Sequence, residues 1–193
     1  PAALDRVLRA GVADTFNAVT VDGCTSTNDT VLLLASGRAG PPDGDAFAAA
    51  VAAACEDLAT QMVGDAEGHT KVVRVRVTGA ATDDEARQAA RQVAESQLAK
   101  CSWFGGDPYW GRVASDLGTA GVKLDLGELT IAYGGNVVSR GCVGIEHDAA
   151  AVAEHMAGEH LELHCDLGVG DGRAGVLTND LAYGYIDENR GTS

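Results

Sequence analysis

In the stretch Val73-Arg74-Val75-Arg76-Val77, valine and arginine alternate residue by residue. Side chains leave a pleated strand on opposite faces, so a period of two marks a strand with one apolar face and one wet face. The valine face has to be covered by something apolar. An all-helical fold is excluded from the start.

The rest of the chain supplies both helices and more strands. Leu4, Leu8, Val12, Phe16 and Val19 recur at helical spacing and predict an amphipathic helix over 2–18. Phe47, Val51, Ala54, Leu58 and Met62 predict a second, ending near residue 63. Thr82-Asp83-Asp84-Glu85 reads as a capping box, in which the threonine accepts from a backbone N–H while the glutamate reaches back; it opens a helix running toward Leu98. A further helix is expected over 148–157, after His147-Asp148. Val31-Leu32-Leu33-Leu34-Ala35 is expected to be a buried strand, and short strands are expected at 101–104, 129–133, 136–140, 160–166 and 174–179. Gly168-Val169-Gly170-Asp171-Gly172 is expected to be a hairpin turn. It is no dinucleotide fingerprint, because a strand and not a helix follows it. Strands and helices mix without a regular βαβ repeat, which points to α+β layers. No linker or internal repeat divides the 193 residues, so one domain over 1–193 is expected.

Aromatic residues make up only 5% of the chain although 46% of it is apolar. A core built on Ala and Val needs closely spaced layers, since small side chains span little distance. Asp and Glu outnumber Lys and Arg by 28 to 14, for a net charge of −14. That balance repels nucleic-acid phosphates and anionic membranes, and neither is expected as a partner. Five cysteines stand far apart with no Cys-x-x-Cys pair, which fits reduced thiols in the cytoplasm. No apolar run approaching ~20 residues without charge or glycine is visible, so no membrane span is expected.

Few residues carry chemistry on their own account. His160 and His164 are too far apart on one strand face for a tight metal pair, and no His-Glu-x-x-His motif occurs, so no metal site is expected. No phosphate loop of the Gly-x-x-x-x-Gly-Lys type and no Gly-x-Ser-x-Gly elbow is present. Thr25, Ser26 and Thr27 lie in a loop with Asp22, Asn28 and Asp29 but with no histidine base nearby. Their oxygens are expected to cap backbone N–H groups instead of acting as nucleophiles. Glu67 sits beside Gly68 at a turn between helix and strand, and Asn189 to Ser193 form the end of the chain. By pattern alone these are a solvated loop acid and a frayed tail.

Six segments in order give these residues more meaning. They are Asp22-Gly23-Cys24-Thr25-Ser26-Thr27-Asn28-Asp29-Thr30, Glu67-Gly68-His69-Thr70-Lys71, Asp107-Pro108-Tyr109-Trp110-Gly111-Arg112, His164-Cys165-Asp166-Leu167-Gly168, Thr178-Asn179-Asp180-Leu181 and Tyr185-Ile186-Asp187-Glu188-Asn189. Together they closely resemble the C-terminal subunit of the ornithine acetyltransferase (glutamate N-acetyltransferase) family of arginine biosynthesis. Cys24 stands where many relatives carry an acid.

The resemblance implies a layered α-β-β-α sandwich and a precursor that cuts itself before a threonine. That threonine becomes the nucleophile, with its own α-amine, of pKa near ~7.7–8.0, as base. It takes acetyl from N-acetylornithine and gives it to glutamate, while oxyanion donors come from the N-terminal subunit. By the same resemblance the nucleophilic threonine is expected about a dozen residues upstream of Pro1, so no catalytic residue is assigned in this chain. Glu67, Asn189 and Ser193 are implied as substrate contacts. The implied partner is the N-terminal subunit, in an α2β2 assembly, with no cofactor. Two other classes remain in view: an aminopeptidase or amidohydrolase of related fold that gives the acyl group to water, and a non-catalytic subunit.

Overall fold

A computed structural model describes residues 2–191. Its framework is a six-stranded sheet in the order β4-β3-β2-β5-β1-β6, formed by β1 (Val72–Ala80), β2 (Thr130–Tyr133), β3 (Asn136–Arg140), β4 (Val143–Gly144), β5 (His160–Asp166) and β6 (Gly172–Asn179). The Val/Arg stretch is β1, and it lies between β5, its parallel neighbour, and β6, its antiparallel one. Val73, Val75 and Val77 are buried, facing the same way as Leu161, Leu163 and Cys165 of β5 and Ile131 and Tyr133 of β2. On the other face Arg74 pairs with Glu56, and Arg76 Nε lies 2.9 Å from Glu162 Oε1.

The valine face is covered by α3 (Asp83–Ala94), α4 (Gln97–Phe104), α5 (Trp110–Thr119) and α6 (Ala149–Ala157). Ala86, Ala89, Ala90, Val93 and Ala94 of α3 are all fully buried. Their shortness lets α3 lie close on the strands, which is the tight layering that an alanine- and valine-rich core demands. Trp103 and Tyr133 supply the bulk that those residues lack. The α+β layering is as expected, and the described residues contribute one sheet to it.

Several elements differ from their sequence-based expectation. The helix that starts at Thr82 breaks at Glu95: Ser96 Oγ accepts from Ala99 N and starts α4. Residues 101–104, expected as a strand, are therefore the end of a helix. Half of the capping box forms, with Thr82 accepting from Glu85 N at 3.2 Å. Two further helices were not expected: α5, although Trp110, Val113, Ala114 and Leu117 recur at helical spacing, and the short terminal α7 (Tyr183–Asn189), which buries no residue. The glycine run 168–172 is no hairpin, because β1 lies between β5 and β6. It crosses the end of β1 instead, with Val169 N and Gly170 N donating to Gly79 O at 2.7 and 2.9 Å. A Cβ on Gly172 would stand 2.3 Å from the Thr82 backbone, so this crossing requires glycine.

The N-terminal third is built differently. Helix α1 (Ala2–Ala13) ends earlier than its periodicity suggested, and Phe16–Ala18 form a 3-10 turn. Residues 31–35 adopt no regular structure and pair with no strand among the described residues, and Leu32 and Leu34 are 73% and 86% exposed. The buried strand expected there is absent because no neighbour covers it. Helix α2 (Gly44–Gly64) packs along α1 and is long and apolar enough to cross a bilayer by length and composition, although Asp45, Glu56 and Asp57 interrupt its apolar run. A small cluster of Val63, Val72, Leu177 and Val19 ties this region to the wet face of the sheet.

Candidate functional site

The turn after α2 is shaped by glycine and clamped by one carboxylate. Gly68 has φ +59°, and a Cβ there would lie 2.0 Å from Gly184 C and 2.1 Å from Tyr185 N. Only glycine lets the turn press against the first turn of α7. Asp180, 2% exposed, accepts from Thr70 N at 2.8 Å, Lys71 N at 3.0 Å and Thr70 Oγ1 at 2.5 Å. This fixes the backbone just after Glu67. Lys71 Nζ in turn donates to Met156 O and Gly158 O at 2.7 and 3.2 Å.

The fold brings Glu67 and Asn189 together across 122 positions of sequence. Asn189 Nδ2 donates to Glu67 Oε2 at 2.8 Å and to Tyr185 O at 2.9 Å. Both residues are exposed. Asn189 closes a helix, where the pattern suggested a frayed tail. Ser193 lies outside the described residues.

The hydroxyl loop reaches the same place. The Tyr185 phenol is pushed above its usual range, first by desolvation and then by the charges of Asp22, Glu67 and Cys24 around it. Within the loop Asp22 Oδ1 accepts from Cys24 N at 2.8 Å, and Ser26 Oγ accepts from Asn28 N and Asp29 N at 3.3 and 2.9 Å. Asp22 and Ser26 thus cap backbone as expected, whereas Thr25 makes no hydrogen bond among the described residues. Thr27 Oγ1 lies 3.5 Å from Asn28 Oδ1.

Next to the pair is a pocket of about 110 Å³ whose walls include Asp22, Lys100, Asn179, Asp180 and Tyr185. Lys100 is 5% exposed, and its Nζ donates to Val21 O at 2.7 Å, Thr178 Oγ1 at 3.0 Å and Asn179 Oδ1 at 2.7 Å. Desolvation lowers its pKa to about 8, against the opposing pull of Asp180, Asp22 and Glu95. Sequence reasoning missed Lys100 because residues 101–104 were assigned to a strand. The available signal was a lysine next to Ala99 and three residues before Trp103, on the buried face of α4. Asp180 and Tyr185 lie in the motifs that carry the family resemblance, but no motif shows their part in the site.

Chemically, Glu67 and Asp22 both lie near the Tyr185 phenol, acidic surroundings that favour an ammonium group, and the Asn189 amide can orient a polar neighbour. No group of three or more His, Cys, Asp or Glu suited to a metal occurs among the described residues.

The ArgJ family profile matches residues 1–191. The chain is 46% identical over 191 residues to the arginine biosynthesis bifunctional protein ArgJ of Mycolicibacterium paratuberculosis, covering 98% of this chain and 46% of that protein. It is 45% identical over 189 residues to ArgJ of Streptomyces coelicolor, covering 97% and 48%. The chain therefore spans about half the length of the curated relatives it matches. The crystal structure of ArgJ from Bacillus halodurans superposes with a TM-score of 0.93 at 35% identity, over 98% of this chain and 93% of that one.

Proposed function

Since the chain belongs to the ArgJ family, we propose that it is the C-terminal chain of a two-chain acetyltransferase that moves acetyl from N-acetylornithine to glutamate in arginine biosynthesis. The observation that carries this reading is the Glu67–Asn189 contact at 2.8 Å beside the Asp22 loop. Three separated motifs meet there in an acidic, open site suited to the ammonium of an amino-acid substrate.

The reaction runs in two halves. An N-terminal threonine upstream of Pro1 attacks the acetyl carbonyl, with its own α-amine taking the hydroxyl proton. The C–N bond breaks, the proton passes to the departing amine, and ornithine leaves an acetyl-threonine ester. Glutamate's amine then attacks that ester, loses a proton and departs as N-acetylglutamate, while the threonine hydroxyl is restored. Glu67 holds substrate ammonium through a charge-assisted hydrogen bond, and Asn189 holds Glu67 in place. Ser193 is assigned the last polar contact.

The partner is the N-terminal chain of the same self-cleaved precursor, in an α2β2 assembly. Two observations support this. The exposed Leu32 and Leu34 of the irregular 31–35 segment need a cover. In addition, the match fills 93% of the solved relative's chain but under half of the curated proteins. The five cysteines are free thiols, which suits a cytoplasmic enzyme. The test is to process the full precursor, then follow N-acetylornithine with and without glutamate while mass spectrometry searches for acetyl-threonine. Glutamate-dependent transfer through that ester is expected. Peptide hydrolysis with no acetyl transfer would mark an aminopeptidase of related fold, and neither activity would mark a non-catalytic subunit.

A further inference from the structure

An ammonium buried in a small pocket is costly unless all its donors are used. Lys100 uses its three N–H groups on three acceptors from two distant segments: Val21 O at the mouth of the hydroxyl loop, and Thr178 Oγ1 and Asn179 Oδ1 at the end of β6. Its own carbonyl accepts from Leu181 N at 3.3 Å, so residue 100 grips the 178–181 segment from both ends. That segment carries Asp180, whose carboxylate takes the Thr70 and Lys71 amides and whose N–H donates to Lys71 O at 3.2 Å. Glu67 lies three residues before Thr70, and Tyr185 four residues after Leu181. A methionine would fill the same space without the desolvation cost. What only a cation can do here is hold three neutral acceptors at once.

We propose that Lys100 is a positioning residue: its ammonium locks the Asp22 loop to the 178–181 segment, and through Asp180 it sets the Glu67 turn against α7. This rests on the reading above that Glu67 contacts substrate. Lys100 touches no reacting atom on this account and acts through the placement of Glu67 and Asp22. Small misplacements of a substrate contact are expensive, because binding geometry is lost.

The experiment uses the assembled two-chain enzyme as wild type, Lys100→Met, Glu67→Gln and the double variant, with active sites counted as acetyl-enzyme. Per active site, Lys100→Met is expected to raise KM for both amino-acid substrates on the order of ten-fold with kcat little changed. Added to Glu67→Gln it is expected to cost less than about two-fold more, since both changes act through one contact. A purely structural lysine would lower the number of active sites and leave KM alone. Hydrogen exchange over 66–71 is read in the same samples, and faster exchange at Thr70 and Lys71 is expected in Lys100→Met. Unchanged exchange there, unchanged KM, or losses that multiply in the double variant would each overturn the proposal. Normal kinetics in Glu67→Gln would instead overturn the reading of Glu67, whatever Lys100→Met does to exchange. If Lys100→Met fails to assemble, Asn179→Ala removes one acceptor and keeps the cation. It is expected to show the same KM defect in smaller size, and its absence would overturn the proposal equally.

Discussion

Leu163 of β5 and Leu34 of the irregular 31–35 segment are the same side chain in opposite surroundings. Leu163 is fully buried, with β1 and β2 hydrogen-bonded on either side and the core helices above it. Leu34 is 86% exposed on a stretch that no described strand pairs. Both lie in stretches expected to be strands, Leu163 in an alternating one and Leu34 in a continuous apolar run. The difference is the neighbour: the region after residue 71 folds its strands against one another, whereas residues 31–35 pair with no described strand, and the N-terminal region reaches the sheet through Val19 and Val63 against Val72 and Leu177 and through the Glu56–Arg74 ion pair. An apolar run thus states that a cover is needed and does not say which chain supplies it.

The largest effect that follows is on the chain expressed without the proposed N-terminal partner. It is expected to aggregate or to misfold, as seen by size-exclusion chromatography and thermal melting. A monodisperse, cooperatively melting isolated chain would break the contrast by showing that the exposed leucines need nothing. In the assembled enzyme, Leu163→Ala is expected to cost ~2–5 kcal/mol of stability in denaturant unfolding, the range for truncating a buried leucine. Leu34→Asp should leave the sheet region folded and instead prevent the two chains from co-purifying.

The candidate site stands where the two regions meet, so its variants sharpen the contrast. Glu67→Gln keeps shape and removes charge, and is expected to lower kcat/KM by ~1.5–3 kcal/mol, the scale of a hydrogen bond to a charged group. Cleavage into two chains should be unaffected, which a gel can verify before kinetics are measured. Unaltered kinetics in the fully cleaved variant would return Glu67 to the class of solvated loop acids.

Lys100 gives a pH signature. Its folded pKa, about 8, lies below the ordinary 10.5. The folded chain releases this proton first, so the unfolded chain holds more protons between those values and the group's contribution to stability rises with pH there. The limiting slope is about 1.4 kcal/mol per pH unit. The difference in unfolding free energy between wild type and Lys100→Met should therefore shift in favour of wild type as pH rises through 8. A difference flat with pH would mean that the ammonium is not held in a desolvated site.

The smallest effect belongs to the hydroxyl loop. Ser26→Ala removes a cap on Asn28 N and Asp29 N and is expected to cost ~1 kcal/mol, with acetyl-enzyme still forming. Loss of acetyl-enzyme in a stably folded Ser26→Ala protein would make the loop chemical instead of structural.

Strands β3 and β5 fall at the residues expected, and β1 falls where its alternation put it, with its valines buried and its arginines ion-paired. β1 was legible because a period of two is a local property of side chains on a pleat. Helix α6 was equally clear, since Asp148 caps it through Ala150 N and Ala151 N. Helix α4 was not, because the break at Glu95 is made by Ser96 and by packing against the sheet, and no periodicity marks it. The glycine crossing at 168–172 looked like a hairpin because local composition cannot reveal that β1 comes between β5 and β6.

For the site, residue identities were available in one dimension: the Glu67-Gly68 pair, Asn189 and the Asp22 loop stand out as motifs, and the family follows from their order. What joins them is long-range. The Glu67–Asn189 bond spans 122 positions, and the clamps of Asp180 on Thr70 and of Lys100 on Val21 span 110 and 79. Helix caps and strand alternation are settled by neighbours within a few residues, so the chain writes them openly. A buried lysine's partners are chosen only when desolvation forces every donor to find an acceptor, and that choice exists only once the sheet has brought β6, α4 and the hydroxyl loop into reach of one ammonium.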